Sequence, residues 1–185
     1  MANGRPKISI VLHAARCGDS VEKCLRSLLD QTVPRQLYEI IVIDDASSDN
    51  TAQVLRGFGN ALTIIRTEEI WGSSKSRNVA VGCARGDIVL FTAVDCVAER
   101  SLLEEHLSSH ERYQSCAVVG RIGWQDNKNG SPFPEFVKQS GMLVSQSPSD
   151  IPDPENVSFR YVFTANMSLP KRVYLSLGMS DERLF

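Results

Sequence analysis

Three polar clusters in the sequence have residue types that suit a phosphorylated ligand. Asp44 and Asp45 stand side by side, Arg77 and Asn78 form the second cluster, and Asp95 is the third. A guanidinium recognises phosphate, and carboxylate oxygens suit Mg²⁺ or Mn²⁺, which commonly bridge one or two carboxylates and substrate phosphates. Together these residue types predict a site for a phosphorylated ligand with a divalent cation.

The elements that must position these residues follow from the apolar pattern. Short β-rich segments alternate with helical patterns, which is typical of βαβ units. This predicts an α/β fold with a Rossmann-like, mostly parallel sheet flanked by helices. The predicted strands cover 8–12, 39–43, 62–66, 87–91 and 117–122, with the strand pattern resuming at 159–163. Ligands of open α/β sheets bind outside the carboxyl ends of the strands, so the three clusters are expected to converge there.

Helices are predicted between these strands. Asp19 and Glu22 have the spacing of a capping box and are expected to begin the first helix, whose apolar stripe buries one face. Later helices are predicted to end near residue 57, to cover 73–84, to include 102–107 and to run from 168 toward 177. Gly86 is expected to close the helix over 73–84. The strand over 39–43 lacks alternation, so helices should cover both its faces.

The composition is that of an ordinary globular domain. The chain has 185 residues, 20 Lys plus Arg against 22 Asp plus Glu, and 42% hydrophobic residues. One domain over 1–185 is therefore expected. The balanced charge argues against nucleic-acid binding, and no apolar stretch reaches the roughly 18–20 residues of a membrane-spanning helix. Five scattered cysteines without a CxxC motif indicate reduced thiols and a cytoplasmic protein.

Two further features of the sequence receive less specific interpretations. The proline-containing segment 124–158 shows little periodicity and is predicted to be a long irregular excursion; such loops are often lids or binding loops, or else disordered. His106 and His110 have the i, i+4 spacing of a metal pair, but no third ligand is evident. They are predicted to belong to an ordinary amphipathic helix face.

Several motifs, in order and spacing, make the sequence recognisable. The matching segments are 8–12, 24–32, 41–51, 72–82, 84–91, 163–169 and 178–182, which read ISIVL, CLRSLLDQT, IVIDDASSDNT, GSSKSRNVAVG, ARGDIVLF, FTANMSL and GMSDE. With these motifs the chain resembles the family 2 glycosyltransferases, whose nucleotide-sugar-binding core has the GT-A fold. The resemblance implies that 1–185 form a single GT-A nucleotide-sugar-binding domain containing the excursion.

The resemblance implies a role for each matched polar residue. Asp44 and Asp45 match the paired acids that contact the base and ribose of the nucleotide. Arg77 matches a residue near the base or the diphosphate. Asp95 matches the second acid of the family's Asp-x-Asp motif, the acid expected to hold Mn²⁺ or Mg²⁺ across the diphosphate. Such an ion would stabilise the leaving nucleoside diphosphate as a Lewis acid.

The sequence departs from the family pattern at two places in this site. Ala93 stands where the first acid of the Asp-x-Asp motif is usual, so a ribose or metal contact is lost. The segment 13–16, HAAR, replaces the usual Pro-x-Tyr-Asn, and Ala15 lies where an aromatic residue often stacks on the base. His13 could stack or form a hydrogen bond in its place. All these positions, from His13 to Asp95, are expected to line the nucleotide-sugar site.

A third departure concerns the general base. Family members usually carry an acidic residue some way beyond the segment 178–182, and it deprotonates the acceptor hydroxyl. The chain reaches Phe185 before that position. The base is therefore expected beyond Phe185, in a C-terminal part of the family domain that this chain is expected to lack, or else the protein lacks a base.

The sequence is compatible to different degrees with three classes of function. The first is transfer of a sugar from a nucleotide diphosphate sugar, with UDP favoured, to an acceptor hydroxyl, with inversion, in polysaccharide or glycolipid synthesis. The second is a non-catalytic nucleotide-sugar-binding module or partner subunit. A dinucleotide-dependent oxidoreductase is disfavoured because no GxGxxG motif follows the first strand. For an enzyme on a lipid-linked acceptor, attachment to the inner membrane face would come through other regions or partners. More ordinary roles, as turn or helix-cap residues, remain open for Asp44, Asp45 and Asp95.

Overall fold

The two longest strands of the protein lie side by side in a six-stranded sheet. A computed structural model describes residues 4–123, 153, 155, 157–158 and 161–184, so most of the predicted excursion over 124–158 lies outside the described residues. The strands are β1 (Ile8–Ala14), β2 (Tyr38–Asp44), β3 (Thr63–Arg66), β4 (Ile88–Thr92), β5 (Val118–Val119) and β6 (Asn166–Pro170). The helices described are α1 (Gly18–Leu29), α2 (Thr51–Gly57), α3 (Gly72–Cys83), α4 (Leu102–Arg112) and α5 (Lys171–Ser176).

The sheet has the order β3-β2-β1-β4-β6-β5. Strands β1 to β4 run parallel, and β6 pairs antiparallel with β4 and with β5. The predicted α/β fold with a mostly parallel sheet is thus confirmed. Among the described residues, no helix has the length and apolar character needed to cross a membrane.

Helices cover both faces of the central strands, as the unbroken apolar run of β2 predicts. Ile40 and Val42 pack in one buried cluster, which includes the apolar stripe of α1. Ile41 and Ile43 point to the other face and pack in a second cluster with α3 residues such as Val81. Because successive side chains of a strand alternate between faces, a strand buried on both sides has no polar alternation.

The start of α1 differs from the predicted capping box. The helix begins at Gly18, and its N-cap, Cys17, makes no side-chain capping bond. The Gly18 N–H instead donates to Asp49 Oδ2 at 3.1 Å and to Thr51 Oγ1 at 3.0 Å. Glu22 forms an ion pair with Arg26 one turn later. The first N–H group of α1 is therefore bonded by side chains at the start of α2, and not by the capping box that the sequence spacing predicts.

The C-terminal elements are also displaced from their predicted positions. Residues 161–163 lie in no strand, while 166–170 form β6; the predicted helix from 168 begins only at Lys171. Thr92 pairs with Asn166 and Ile88 with Pro170, so pairing with β4 draws this segment into the sheet. Pro170 stands at the end of the strand, where its missing N–H costs no ladder bond in the middle of the sheet.

Candidate functional site

The candidate site lies at the carboxyl edge of the sheet, where three adjacent strands end together. Ala14 of β1 is in register with Asp44 of β2, and Asp44 with Arg66 of β3. On the other side, Val11 of β1 is in register with Phe91 of β4. Neighbouring strands lie about 4.8 Å apart, so residues at these ends form one rim. The predicted residues on this rim are His13, Ala15, Asp44, Asp45, Ala93 and Asp95.

Asp45 is the most extensively bonded residue of this rim. Its Oδ1 accepts hydrogen bonds from the Trp71 N–H at 2.7 Å and from Thr67 Oγ1 at 3.3 Å. Its Oδ2 accepts from the Gly72 N–H at 2.9 Å and lies 2.8 Å from His13 Nε2. Asp45 is only 2% exposed. The carboxylate therefore joins the end of β1 to the first residues of α3.

The pKa of Asp45 shows that this environment favours the carboxylate. Burial raises the pKa, but the hydrogen bonds from Trp71, His13 and Gly72 outweigh it, so the pKa lies below its ordinary value. An ionised carboxylate can only accept hydrogen bonds. The His13 Nε2 must therefore donate to it, which in the neutral ring leaves Nδ1 as an acceptor. The His13 side chain is 22% exposed, so part of the ring can reach a ligand.

Asp44 is held differently from its neighbour. Its Oδ2 lies 2.6 Å from Arg66 Nη1, and its Oδ1 accepts from the Ser47 N–H at 3.3 Å. The bond to Ser47, three residues on, is the turn role that the sequence left open for an aspartate. The Asp44 side chain is buried, whereas that of Arg66 is half exposed. Arg66 is not among the residues predicted from the sequence. It is the last residue of β3, so the tendency of ligands to bind at the carboxyl ends of strands could have pointed to it as well.

Arg77 reaches the segment that leads into β6. Its Nη2 donates to Thr164 Oγ1 at 2.9 Å, and burial lowers the pKa of the guanidinium. Within the described part of the chain, no carboxylate lies within 4 Å of Arg77. A guanidinium bonded to a neutral hydroxyl keeps donors for an anionic group. Thr164 lies in the motif 163–169, but its contact with Arg77 could not be read from the sequence.

Asn78 has a positioning role. Its Nδ2 donates to the Ser180 carbonyl at 2.9 Å and to Glu182 Oε1 at 2.8 Å. Its Oδ1 accepts from the Tyr174 hydroxyl at 2.6 Å and from the Ser180 N–H at 3.0 Å. The side chain is therefore fully engaged in tying α3 to the segment after α5.

Asp95 lies exposed on the turn after β4. Its recorded partner is the Cys96 thiol, whose sulfur lies 4.0 Å from Oδ1. The helix-cap role left open for Asp95 is not realised, since α4 begins at Leu102 after Ser101. Ala93 contributes only its carbonyl, which accepts from the Cys96 N–H at 3.2 Å and the Cys24 thiol at 3.5 Å.

These residues fit a metal ion only in partnership with a ligand. Across the residues that the structure describes, no three His, Cys, Asp or Glu side chains are grouped to hold a metal. Mg²⁺ and Mn²⁺, however, are commonly held by one or two carboxylates together with phosphate oxygens and water. The exposed carboxylate of Asp95 has the donor chemistry for one such ligand.

His106 and His110 lie outside this rim, in a buried polar network. His106 Nδ1 and His110 Nε2 lie 2.7 and 2.8 Å from Ser168 Oγ, and His106 Nε2 lies 2.8 Å from Asn166 Oδ1. Burial lowers the pKa of both rings, and that of His110 falls to about 4 with His106 beside it. The neutral pair joins α4 to β6. The face of α4 that carries the two histidines therefore packs against β6 through polar contacts.

Sequence comparisons place relatives of this chain among sugar transferases. The family model described as Glycosyl transferase family 2 matches residues 9–165. A poly(ribitol-phosphate) beta-glucosyltransferase from Bacillus spizizenii is 32% identical over 183 residues, which are 96% of this chain and 26% of that protein. Glycosyltransferase AglE from Haloferax volcanii is 30% identical over 150 residues, 80% of this chain and 49% of the relative. The chain thus spans a quarter to half the length of these relatives.

Solved structures share the fold. TarS 1-349 from S. aureus, in complex with UDP, matches with a TM-score of 0.76 and 22% identity over 96% of this chain and 51% of that chain. The mannosyltransferase PcManGT from Pyrobaculum calidifontis, in complex with GDP-Man and Mn²⁺, matches with a TM-score of 0.71 and 19% identity over 97% and 48% of the two chains. The GT-A fold expected from the motifs is therefore confirmed.

Proposed function

The chain belongs to glycosyl transferase family 2, and from that membership we propose that it serves the transfer of a sugar from a nucleotide diphosphate sugar to an acceptor hydroxyl. The observation that carries the proposal is the rim at the carboxyl edge, where His13 lies at the end of β1 and Asp45 and Asp95 follow the neighbouring strands β2 and β4. Arg77 adds a guanidinium whose hydrogen-bond partner is a neutral hydroxyl. This rim combines contacts for a base, a diphosphate and a cation.

The nucleotide end of the donor is proposed to bind against His13. Asp45 orients the ring through Nε2, so its face or its Nδ1 can meet the base where Ala15 offers no aromatic ring. Asp44 holds Arg66, whose half-exposed guanidinium adds positive charge beside the ribose and diphosphate. A uridine donor is favoured because TarS structures contain UDP and UDP-GlcNAc. Because the PcManGT structure contains GDP-Man, the test below also includes a guanosine nucleotide for comparison.

The diphosphate is proposed to lie between Arg77 and Asp95. Asp95 would hold Mn²⁺ or Mg²⁺ together with the phosphates, and such an ion supplies Lewis-acid stabilisation of the leaving group. Arg77 donates hydrogen bonds to the same negative charge, which grows as the bond to the sugar breaks. Ala93 offers no side-chain oxygen, so Asp95 is the single protein ligand proposed on this turn.

The proposed reaction is a direct displacement with inversion. The acceptor oxygen forms a bond to the anomeric carbon while the bond from that carbon to the diphosphate oxygen breaks. The acceptor proton passes to a general base, a role we assign to none of the described residues. The proposed acceptor is a glycan or a lipid-linked glycan, in keeping with the names of the polymer-modifying relatives. The five unpaired cysteines support a cytoplasmic location.

A second candidate function is a non-catalytic nucleotide-sugar-binding module or partner subunit. The specific observation in its favour is the turn after β4, where Asp95 is an exposed single carboxylate and Ala93 replaces the other acid. Metal-dependent nucleotide binding would distinguish a working donor site from a rim that keeps the fold of the family but no longer binds the metal.

Calorimetric titration with UDP and then GDP, with and without Mn²⁺, tests the proposed donor site. We expect metal-dependent binding of UDP by the wild-type chain and loss of the metal dependence in Asp95→Ala. Asp30→Ala is the matched control, since Asp30 is exposed and pairs with Arg100 away from the rim. Absence of binding to either nucleotide would overturn the donor site and favour the partner-subunit function.

A further inference from the structure

A cavity of about 930 Å³ lies at the opposite edge of the sheet, beside the amino ends of β1 and β2. Its lining includes three arginines, Arg5, Arg35 and Arg85, and one acid, Glu39. Arg5 is paired with Asp87 and Arg85 with Glu39, so the uncompensated positive charge of the described lining residues is that of Arg35. We call this region the amino-edge cavity.

Arg35 is held rigidly without neutralisation of its charge. Its Nη1 donates to the Tyr38 carbonyl at 2.6 Å and its Nη2 to the Ala61 carbonyl at 2.7 Å. Its guanidinium lies 4.7 Å from the centre of the Tyr38 ring. No ion pair joins Arg35 to a carboxylate of the described residues. Five N–H groups belong to a guanidinium, so donors remain for a ligand.

Arg85 is oriented by a buried acid. Its Nε donates to Glu39 Oε2 at 2.8 Å and its backbone N–H to Glu39 Oε1 at 2.6 Å, while Ser9 Oγ donates to the same Oε1 at 2.7 Å. Burial raises the pKa of Glu39, but these hydrogen bonds outweigh it and the pKa lies below its ordinary value. The Arg85 side chain remains 71% exposed. The buried carboxylate thus fixes an exposed guanidinium at the cavity.

Gly86 allows this network to form, which revises its expected role as a helix cap. A Cβ at this position would lie 2.7 Å from the backbone nitrogen and the hydroxyl of Ser9. The Gly86 N–H donates to that hydroxyl at 2.8 Å. The close approach of Gly86 to β1 places the preceding Arg85 against Glu39.

We propose that the amino-edge cavity binds the phosphate group of a phosphate ester. Rigid, planar guanidinium groups suit the oxygens of phosphate, and pre-organised donors lose little entropy on binding. Asn60 and Thr63 also line the cavity and provide polar groups for the hydroxyls of an attached polyol or sugar. The volume lies within the range of small-molecule sites and exceeds what inorganic phosphate alone requires.

This site is separate from the proposed donor site. Strand β1 has seven residues between the two edges, and at about 3.3 Å per residue it spans about 20 Å. A phosphate in the amino-edge cavity is therefore not the diphosphate of the donor. The proposal does not depend on the proposed function, and nucleotide binding need not accompany it.

Titrations followed by NMR of the backbone and arginine side-chain N–H groups test this proposal. The probes are glycerol 3-phosphate, a monoester, and glycerophosphoglycerol, a diester; inorganic phosphate serves as the reference. We expect saturable binding with shifts confined to residues around Arg35 and Arg85. Tighter binding of the monoester indicates a free phosphorylated metabolite as the source, and tighter binding of the diester indicates a phosphodiester-linked polymer.

Three variants assign the binding to this cavity. Arg35→Gln should weaken binding about tenfold, because a hydrogen-bonded charge is lost. Asn60→Asp should weaken it too, and the fold should be retained because this exposed side chain forms no hydrogen bond with the other described residues. Arg183→Gln removes a guanidinium that is paired with Asp181 elsewhere and should change nothing. Absence of saturable binding, or equal affinities in all three variants, would overturn the proposal.

Discussion

The two edges of the sheet each contain a buried carboxylate that holds an exposed or partly exposed side chain. At the carboxyl edge, Asp45 orients His13 and accepts hydrogen bonds from two backbone N–H groups at the start of α3. At the amino edge, Glu39 orients Arg85 and accepts a hydrogen bond from a hydroxyl group of β1. Both acids have a lowered pKa because donated hydrogen bonds outweigh burial. The difference lies in the side chain that each acid holds: Asp45 holds a histidine ring and Glu39 holds a guanidinium group.

In both proposed sites, the buried acid would act by positioning a neighbouring side chain rather than by touching the ligand. Neither Asp45 nor Glu39 is exposed enough to offer much surface to a ligand. Their oxygens are occupied by protein donors, which fixes the neighbouring side chains in place. Substitutions at either edge should therefore lower the free energy of unfolding, and each should also change the affinity for the ligand proposed at that edge.

The largest effect is expected for Asp45→Ala. The change leaves the buried N–H groups of Trp71 and Gly72 without their acceptor, so the free energy of unfolding should fall by about 3 kcal/mol. Urea unfolding measures this loss. Glu22→Ala, which removes an exposed i, i+4 ion pair, should cost only about 0.3 kcal/mol. Equal losses in the two variants would show that Asp45 is not structurally important.

Glu39→Gln should have the next largest effect and should separate the edges. Loss of the charge that Arg85 and Ser9 surround should lower the free energy of unfolding by about 2 kcal/mol. Glycerol 3-phosphate binding should weaken, since Arg85 is no longer held, while UDP binding at the other edge stays unchanged. Urea unfolding and the two titrations measure these quantities. A parallel loss of both affinities would mean that the edges are coupled.

A smaller gain is expected when an acid is added at the carboxyl edge. Ala93→Asp places a second carboxylate close to Asp95, and the affinity for UDP in Mn²⁺ should rise about fivefold, or about 1 kcal/mol. Calorimetry with and without Mn²⁺ measures the change. Affinity that does not respond to the metal would show that residues 93 and 95 do not face the diphosphate together.

The smallest effect is expected from mild acidification. The folded-state pKa values of Glu39 and Asp45 lie below their unfolded values, so both stabilise the fold fully above about pH 4.5 and lose this contribution as the pH falls through the lowered values. The free energy of unfolding, measured between pH 6 and pH 3, should stay level and then decline. The decline should begin at lower pH in Glu39→Gln. An unchanged profile in that variant would remove Glu39 as a cause.

Much of the fold could be predicted from local patterns. Strands β1 to β4 and helices α2 and α3 lie within a few residues of their predicted positions, because each has a periodicity of its own. The start of α1 and strand β6 could not be predicted in the same way. Gly18 bonds to Asp49 and Thr51 across the fold, and β6 forms because it pairs with β4. Contacts between distant segments override local propensity at such places.

For the site, the order of strands and helices in the sequence was enough to predict which residues lie at the carboxyl edge, because parallel strands all end on the same side. The family motifs added expected roles for Asp44, Asp45, Arg77 and Asp95. Which of these side chains are already bonded to other protein groups depends on the packing of distant segments. The partners of Asp45 lie 22, 26, 27 and 32 residues away along the chain, and such pairings arise from packing rather than from spacing. The arginines of the amino-edge cavity are brought together for the same reason, since no local pattern relates Arg35 to Arg85.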